Sequence, residues 1–278
     1  MNQILGLILN NIVNSKYAKY SSMLVSIISL YIILYMNLKY NTTINDFQFR
    51  DCFDLYFYRI SLGLDGLALS ILLIIGLIYP ILFLLIIPNS SLHSIKDSEK
   101  IVKINNILIT MYILLILVFT SLDILIFFIF FEVLLIPMFL LIGIYGSRVN
   151  KFEASYRFFL YTLIGSLLLL LAIIILFYKY GTTNLELLQI YLSTQNSATK
   201  GCGIDFLSWL WFAIFFSFLV KVPMFPLHSW LPEAHTEAPT IGSIILAAIL
   251  LKLATFGIYR YSLNMFININ TTSTPWSS

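Results

Sequence analysis

Long apolar runs dominate this sequence and restrict what it can fold into. Residues 65–87 and 155–178 are apolar with few interruptions, and several runs reach the ~20 residues that cross a bilayer as one helix. The chain is 60% hydrophobic and only 10% charged, whereas soluble domains carry about 25% charged residues. The sequence therefore predicts an all-α polytopic membrane protein.

Cutting the apolar runs at charges and turn residues predicts seven spanning helices in a single membrane domain, residues 1–278. They cover about 22–38, 65–87 (ended by Pro88), 104–120, 124–145, 155–178, 206–225 and 240–262. The run 104–145 is too long for one crossing, so it is divided at residues 121–123, where Asp123 is expected to cap the second helix. Residues 3–13 are too short to span alone and are expected to form a partial or tilted eighth helix.

The segments between these runs predict connections of different kinds. Aromatic and charged residues over 47–60 predict a short hairpin or an interfacial stretch, and residues 89–103 and 179–205 predict polar loops. Cys52 and Cys202 fall in separate loops, and no metal-ligand spacing joins them. Basic patches interleaved with aromatic residues do not occur, so a nucleic-acid partner is not expected.

Three ionisable residues, Glu132, Lys221 and Lys252, lie deep inside predicted spans. A charge at the centre of a spanning helix costs roughly 2.5–3.5 kcal/mol, so such groups must pair, contact water or titrate. One carboxylate cannot neutralise two lysines, which favours proton transfer over a fixed ion pair. An ion pair that only locks the bundle stays open as an alternative, as does snorkelling of Lys221 to the interface.

Two prolines follow Lys221 within five positions. Pro223 has no N–H, so the carbonyl of Leu219 loses its helical partner, and Pro226 has the same effect three residues later. Freed backbone groups at membrane depth must be satisfied by protein or water. We expect a polar break with exposed carbonyl oxygens beside the ammonium, as in the ion sites of many transporters. Pro137 predicts a milder break in the helix of the buried glutamate.

The loop after this break is rich in titratable residues. It holds His228, Glu233, His235 and Glu237, but no other ligand cluster supports a metal site there. Glu237 fits the positive end of a helix that begins at Pro239. His228 is either a packed interfacial residue or a relay that passes protons to the surface. Two histidines in one loop do not fit a haem held between two helices.

Four stretches combine length with rigid spacing. They are SLGLDGLALSILL at 61–73, FFEVLLIPMFLLIGIYGSR at 130–148, KVPMFPLHSWLPEAHTEAPTIGSIILAAILLK at 221–252 and LATFGIYR at 253–260. They resemble the chain 4 family of mitochondrial NADH:ubiquinone oxidoreductase (respiratory complex I), whose members are antiporter-like membrane subunits. The resemblance covers most of residues 55–260, and part of it is shared with subunits of multisubunit cation/proton antiporters.

The resemblance implies a membrane-arm subunit that moves protons and holds no redox cofactor itself. NADH, FMN, the iron–sulfur clusters and ubiquinone are then expected elsewhere in the complex. Glu132 is expected to pair with Lys221, Lys252 to pass the proton onward, and Asp123 to be an ancillary acid at the edge of the glutamate helix. The implied location is the mitochondrial inner membrane, crossed several times, among other membrane-arm subunits and lipid.

The family's chains are longer and contain two inverted five-helix repeats. Residues 104–262 are expected to form the first repeat, with one helix broken at the prolines. The second repeat is missing from this sequence, so we expect a fragment, a truncated subunit or one half of a split subunit. A separate chain could then supply the second repeat.

Three functions follow from these observations. The first is a proton-translocating core subunit of complex I, and hence part of an enzyme, H⁺-translocating NADH:ubiquinone reductase, without a redox site on this chain. The second is a subunit of a multisubunit cation/proton antiporter. The third is an inert structural membrane subunit whose charges are fixed.

Overall fold

The computed structural model shows a membrane-type helical protein with one β-hairpin. The described residues are 15–43, 46–55, 58–86, 95–146, 148–198 and 203–263. Within them, six helices are long and apolar enough to cross a membrane, and the apolar helix Phe206–Lys221 is a shorter seventh. The predicted all-α polytopic membrane fold is confirmed. Residues 3–13 and Pro88 lie outside the described residues.

The helices are numbered here along the chain. They are α1 Ser15–Lys39, α2 Gly66–Ile86, α3 Ile95–Thr120, α4 Ile124–Val133, α5 Leu135–Tyr145, α6 Lys151–Tyr180, α7 Leu185–Ala198, α8 Gly203–Lys221, α9 Trp230–Glu237, α10 Thr240–Ile245 and α11 Leu251–Gly257. The π-helical turn Leu246–Leu250 joins α10 to α11, and a second one, Ile258–Leu263, extends α11. The result is one continuous last span, Thr240–Leu263.

A β-hairpin precedes α2. Strands β1, Gln48–Leu55, and β2, Tyr58–Leu64, pair antiparallel, which confirms the hairpin alternative for residues 47–60. The hairpin is tied to α7 by an ion pair between Arg50 and Glu186 with an N–O distance of 2.8 Å. Cys52 is exposed on β1, and Cys202 lies outside the described part of the chain.

Residues 121–123 separate α3 from α4, as predicted. The segment is extended rather than a tight turn, because it pairs with backbone on both sides. Leu122 donates its N–H to the carbonyl of Ser61 at 3.0 Å and accepts the N–H of Leu185 at 3.0 Å. These bonds hold the start of α4 between strand β2 and the start of α7.

Two segments predicted to be polar loops are partly helical. Helix α3 begins at Ile95, inside the predicted loop 89–103, and the predicted loop 179–205 contains α7. Hydropathy marks only the apolar part of a helix, so polar helical turns outside it are missed. Helix α7 is amphipathic: its buried leucines, at 185, 188 and 192, follow the helical period.

Helix ends and close contacts define how the spans pack. Helix α6 ends where Gly181 takes a left-handed conformation (φ 72°) and donates its N–H to the carbonyl of Phe177 at 2.8 Å. In the middle of α6, Gly165 lets α8 approach so closely that a Cβ there would lie 2.8 Å from Cβ of Val220. This contact fixes the position of the last turn of α8 against α6.

Candidate functional site

The structure brings Glu132 and Lys221 into direct contact. Glu132 is the penultimate residue of α4, and Lys221 is the last residue of α8. The Lys221 Nζ donates to Oε1 of Glu132 at 2.8 Å. Only 7% of the Lys221 side chain and 22% of the Glu132 side chain are exposed, so the pair lies largely inside the protein.

Both members of the pair stand where a helix is interrupted. The break after Glu132 follows from Pro137: α4 stops at Val133, a turn at Leu134 follows, and α5 continues the same span to residue 145. Helix α8 stops at Lys221 rather than at the predicted residue 225, because the prolines that follow cannot continue it. The sequence therefore correctly predicts a break at each charge.

Two carbonyl groups near the α8 break, including that of Leu219, accept hydrogen bonds from protein rather than being exposed as expected. The Leu219 carbonyl accepts the N–H of Met224 at 3.3 Å, and the Val220 carbonyl accepts the indole N–H of Trp230 at 3.1 Å. The physical reason is that residues 222–229 turn back onto the helix end. Trp230 is 3% exposed, so it closes the break with a buried hydrogen bond.

An aromatic ring completes the surroundings of the ammonium. Lys221 Nζ lies 3.3 Å from the centroid of the Phe131 ring, a contact that stabilises the charged amine. Since Phe131 precedes Glu132, one turn of α4 supplies both the carboxylate and the ring. The sequence shows these residues side by side in the FFE stretch but does not predict the cation–π contact.

The structure does not bury Lys252 in this chain, although its position in an apolar run predicts a deep charge. Its side chain is exposed on the last span, and Nζ lies 3.5 Å from the carbonyl oxygen of Ala247. The next two residues, Leu253 and Ala254, are buried, and Ala254 lies on the side of the helix opposite Lys252. All faces of the run are apolar in sequence, so periodicity could not show which face Lys252 occupies.

Asp123 stands at the position that precedes α4 but does not cap the helix with its side chain. Its Oδ2 instead accepts the backbone N–H of Ser61 at 3.2 Å and the Ser61 hydroxyl at 2.8 Å. The residue is 3% exposed. Burial raises the pKa of the Asp123 carboxyl, and the two Ser61 bonds oppose that rise. The predicted capping bond is therefore wrong, because β2 offers a nearer donor.

His228 lies in the turn after α8 and is exposed. Its ring centroid is 5.8 Å from that of Phe225, so it contacts the turn and not the buried pair. Across the described ranges, no group of three or more His, Cys, Asp or Glu residues could hold a metal ion.

Arg260 is a buried charge that the sequence does not single out. It is 1% exposed and donates from Nη1 to the Phe119 carbonyl at 3.2 Å. Its guanidinium carbon lies 4.9 Å from the Phe47 ring centroid and 5.1 Å from that of Phe256. At the end of a predicted helix an arginine is typical of an interfacial anchor, so no local pattern could have revealed its burial.

Comparisons with known proteins agree with the resemblance. The sequence profile of the family described as "NADH:quinone oxidoreductase/Mrp antiporter, TM" matches residues 121–278. Curated relatives include NADH-ubiquinone oxidoreductase chain 4 of Marchantia polymorpha, 47% identical over 215 residues, which are 77% of this chain and 40% of the relative. The chain 4 protein of Chondrus crispus is 41% identical over 245 residues, 86% of this chain and 46% of the relative. The chain thus spans less than half the length of these relatives.

Solved structures share the fold. A chain of respiratory complex I from Thermus thermophilus with bound NADH has a TM-score of 0.73 at 24% identity, covering 98% of this chain and 54% of the other. A chain of the membrane-bound sulfane sulfur reductase, an archaeal respiratory membrane complex, has a TM-score of 0.77 at 19% identity, covering 98% and 41%. At these identities the likeness concerns the fold alone.

Proposed function

Because the chain belongs to the NADH:quinone oxidoreductase/Mrp antiporter membrane family, we propose that it is a proton-translocating subunit of NADH:ubiquinone oxidoreductase. The curated relatives are chain 4 of that enzyme, which favours this function over that of a cation/proton antiporter subunit. The proposal places the chain in the membrane arm, in the mitochondrial inner membrane, with NADH, FMN, iron–sulfur clusters and ubiquinone on other subunits.

The contact between Glu132 and Lys221 carries the proposal. Two ionisable groups 2.8 Å apart, each at the end of an interrupted helix, form an arrangement in which a proton can pass between amine and carboxylate. Moving one charge across the membrane is worth about 2.3 kcal/mol per 100 mV. A pair whose charge state changes can therefore exchange energy with the membrane potential, whereas a permanently fixed pair cannot.

Lys252 is proposed as the next proton acceptor after the Glu132–Lys221 pair. It is exposed on this chain but lies within the apolar span Thr240–Leu263, where contact with lipid would cost roughly 2.5–3.5 kcal/mol. Protein or water of the assembly is therefore expected to cover this face. Lys252 would then receive a proton from the pair at the boundary of this chain. Asp123 and His228, one buried and one exposed, are proposed only as ancillary groups.

The proposal is tested by measuring protons pumped per NADH oxidised in the purified assembly reconstituted in liposomes. Glu132→Gln and Lys221→Met should lower this ratio, and Asp54→Asn, on the exposed hairpin surface, should leave it unchanged. Assembled variants of the pair that pump normally would show that the charges are structural. Purification without a flavin- and iron–sulfur-containing partner would instead favour the antiporter subunit.

A further inference from the structure

Six buried aromatic side chains form a continuous layer below the Glu132–Lys221 pair. They come from α3, α4, α8 and the last span, and each is at most 2% exposed. This aromatic layer consists of Phe119, Phe127, Phe131, Phe218, Phe256 and Tyr261.

Phe127 stands at the centre of the aromatic layer. Its ring centroid lies 5.3 Å from that of Phe131 and 4.5 Å from that of Tyr261. It also lies 6.1 Å from Phe218 and 6.4 Å from Phe256. All these spacings are within or close to the range of aromatic contact, so one ring of α4 joins the rings of the other helices.

The close fit of the layer depends on a glycine. A Cβ on Gly257 would clash with the Phe218 ring, so the absence of a side chain there lets α8 and the last span approach closely. Phe256, the neighbour of Gly257, contacts Phe119 of α3 at a centroid distance of 5.0 Å. The layer is therefore packed from one helix to the next.

Polar groups lie on both sides of the layer. On one side is the Lys221 ammonium, 3.3 Å from the Phe131 centroid. On the other side, towards the hairpin, are Asp123 with Ser61 and the buried guanidinium of Arg260 against Phe256. Asp123, just before α4, and Glu132, within it, are nine positions apart, about 14 Å at 1.5 Å per residue.

Phenyl rings offer no donor or acceptor through which a proton could move, and the Tyr261 hydroxyl is aimed at the Ser121 carbonyl at 3.5 Å. A proton on Lys221 could cross the layer towards Asp123 only if water entered it. Closely packed apolar side chains leave no space that water would occupy.

We propose that the aromatic layer, centred on Phe127, is a seal that prevents protons from passing between the Glu132–Lys221 pair and the hairpin side of this chain. Phe127 and Phe131 are then positioning residues: they do not exchange protons, but they restrict where the proton of Lys221 can go. The inference rests on the proposed function in one respect, the titration of the pair. A seal at this place would explain why a proton from the pair leaves past the exposed Lys252 and not through the aromatic layer to the hairpin side.

The test is the passive decay of a pH gradient imposed across liposomes that contain the purified assembly, without NADH. Phe127→Ser opens a cavity and places a hydroxyl in it, so that water can enter. A purely apolar cavity would stay dry. We expect a severalfold faster decay in this variant. Phe127→Leu, which keeps the site apolar, and Phe177→Ser, a matched change at a 53% exposed phenylalanine of α6, should hold the gradient as wild type does.

An assembled Phe127→Ser variant that holds the gradient would overturn the proposal, and so would equal leaks in Phe127→Ser and Phe177→Ser. If Phe127→Ser does not assemble, the seal is tested instead by the positions of ordered water in the wild-type protein. A high-resolution map that shows ordered water between Phe127 and Phe131 would contradict the seal, and a map with ordered water at the pair but none in the layer would support it.

The same preparation separates this inference from the proposed function. A leak in Phe127→Ser together with normal pumping in Glu132→Gln would keep the seal and reject the pair as a proton carrier. If Phe127→Ser holds the pH gradient and Glu132→Gln loses pumping, the seal is rejected and the pair is kept as a proton carrier. A lower leak in the double variant Phe127→Ser/Glu132→Gln than in Phe127→Ser would show that leaking protons pass through the pair.

Discussion

Glu132 and Lys221 each make the other's burial tolerable, because an unpaired charge inside a protein is strongly unfavourable. We therefore expect Glu132→Gln or Lys221→Met to destabilise the protein by about 3–5 kcal/mol each, the range seen when one partner of a buried pair is removed. The double variant should lose much less than the sum, which thermal unfolding of the purified assembly can measure. Additive losses would contradict a coupled pair.

Asp123 should make stability depend on pH in the opposite direction to most carboxylates. Burial raises the pKa of Asp123 in the folded protein. Its contribution to the free energy of unfolding is therefore largest at pH values below the ordinary aspartate pKa near ~4. That contribution is lost as pH rises from there through the raised value. The stability of wild type minus that of Asp123→Asn should therefore fall over this window. A difference that stays flat or grows with pH would contradict the burial argument.

At the scale of elements, the end of α8 depends on a side chain that arrives from α9. Trp230→Phe keeps the ring but removes the N–H that the Val220 carbonyl accepts at 3.1 Å. Leaving a buried acceptor unsatisfied costs about 1–3 kcal/mol, which a shift in the unfolding midpoint would report. Trp209→Phe, a matched change on α8, is the control, since Trp209 is 73% exposed. Equal effects of the two variants would argue against the capping role.

The contact between α6 and α8 should be sensitive to a single methyl group. Gly165→Ala would place Cβ 2.8 Å from Cβ of Val220, and such overpacking costs about 1–3 kcal/mol. Val220→Ala in the same chain should restore part of the loss, because it removes Cγ1 and Cγ2, which would lie 3.0 and 3.1 Å from the added Cβ, although the nearer Val220 Cβ remains. If Gly165→Ala is as stable as wild type, the helices are less closely held than the structure indicates.

The sequence predicts the elements better than it predicts their contacts. Apolar length places the spans, and prolines locate the breaks beside Glu132 and Lys221, because both signals are local. The Asp123–Ser61 bonds join residues 62 positions apart, and no local pattern encodes them. When a span is apolar on every face, its sequence does not show which face packs against other helices. The exposure of Lys252 and the burial of Arg260 were therefore not predictable.

At the scale of the whole molecule, two buried charge sites lie on opposite sides of one aromatic layer. The Glu132–Lys221 pair is near the turn that carries His228, and Asp123 and Arg260 are near the hairpin. In the proposed function the first site exchanges protons, and the layer keeps it apart from the second. Under this proposal, a chain that spans less than half the length of its relatives contains one protonatable site that is closed on one side.

The most direct test of this account is infrared difference spectroscopy of the purified assembly during oxidation of NADH by a quinone. We expect a carbonyl band from a carboxyl group that changes protonation during turnover, and we expect this band to disappear in Glu132→Gln. Asp54→Asn should leave this band unchanged. A spectrum in which Glu132→Gln matches wild type, with turnover preserved, would show that Glu132 keeps one charge state throughout and would contradict the account.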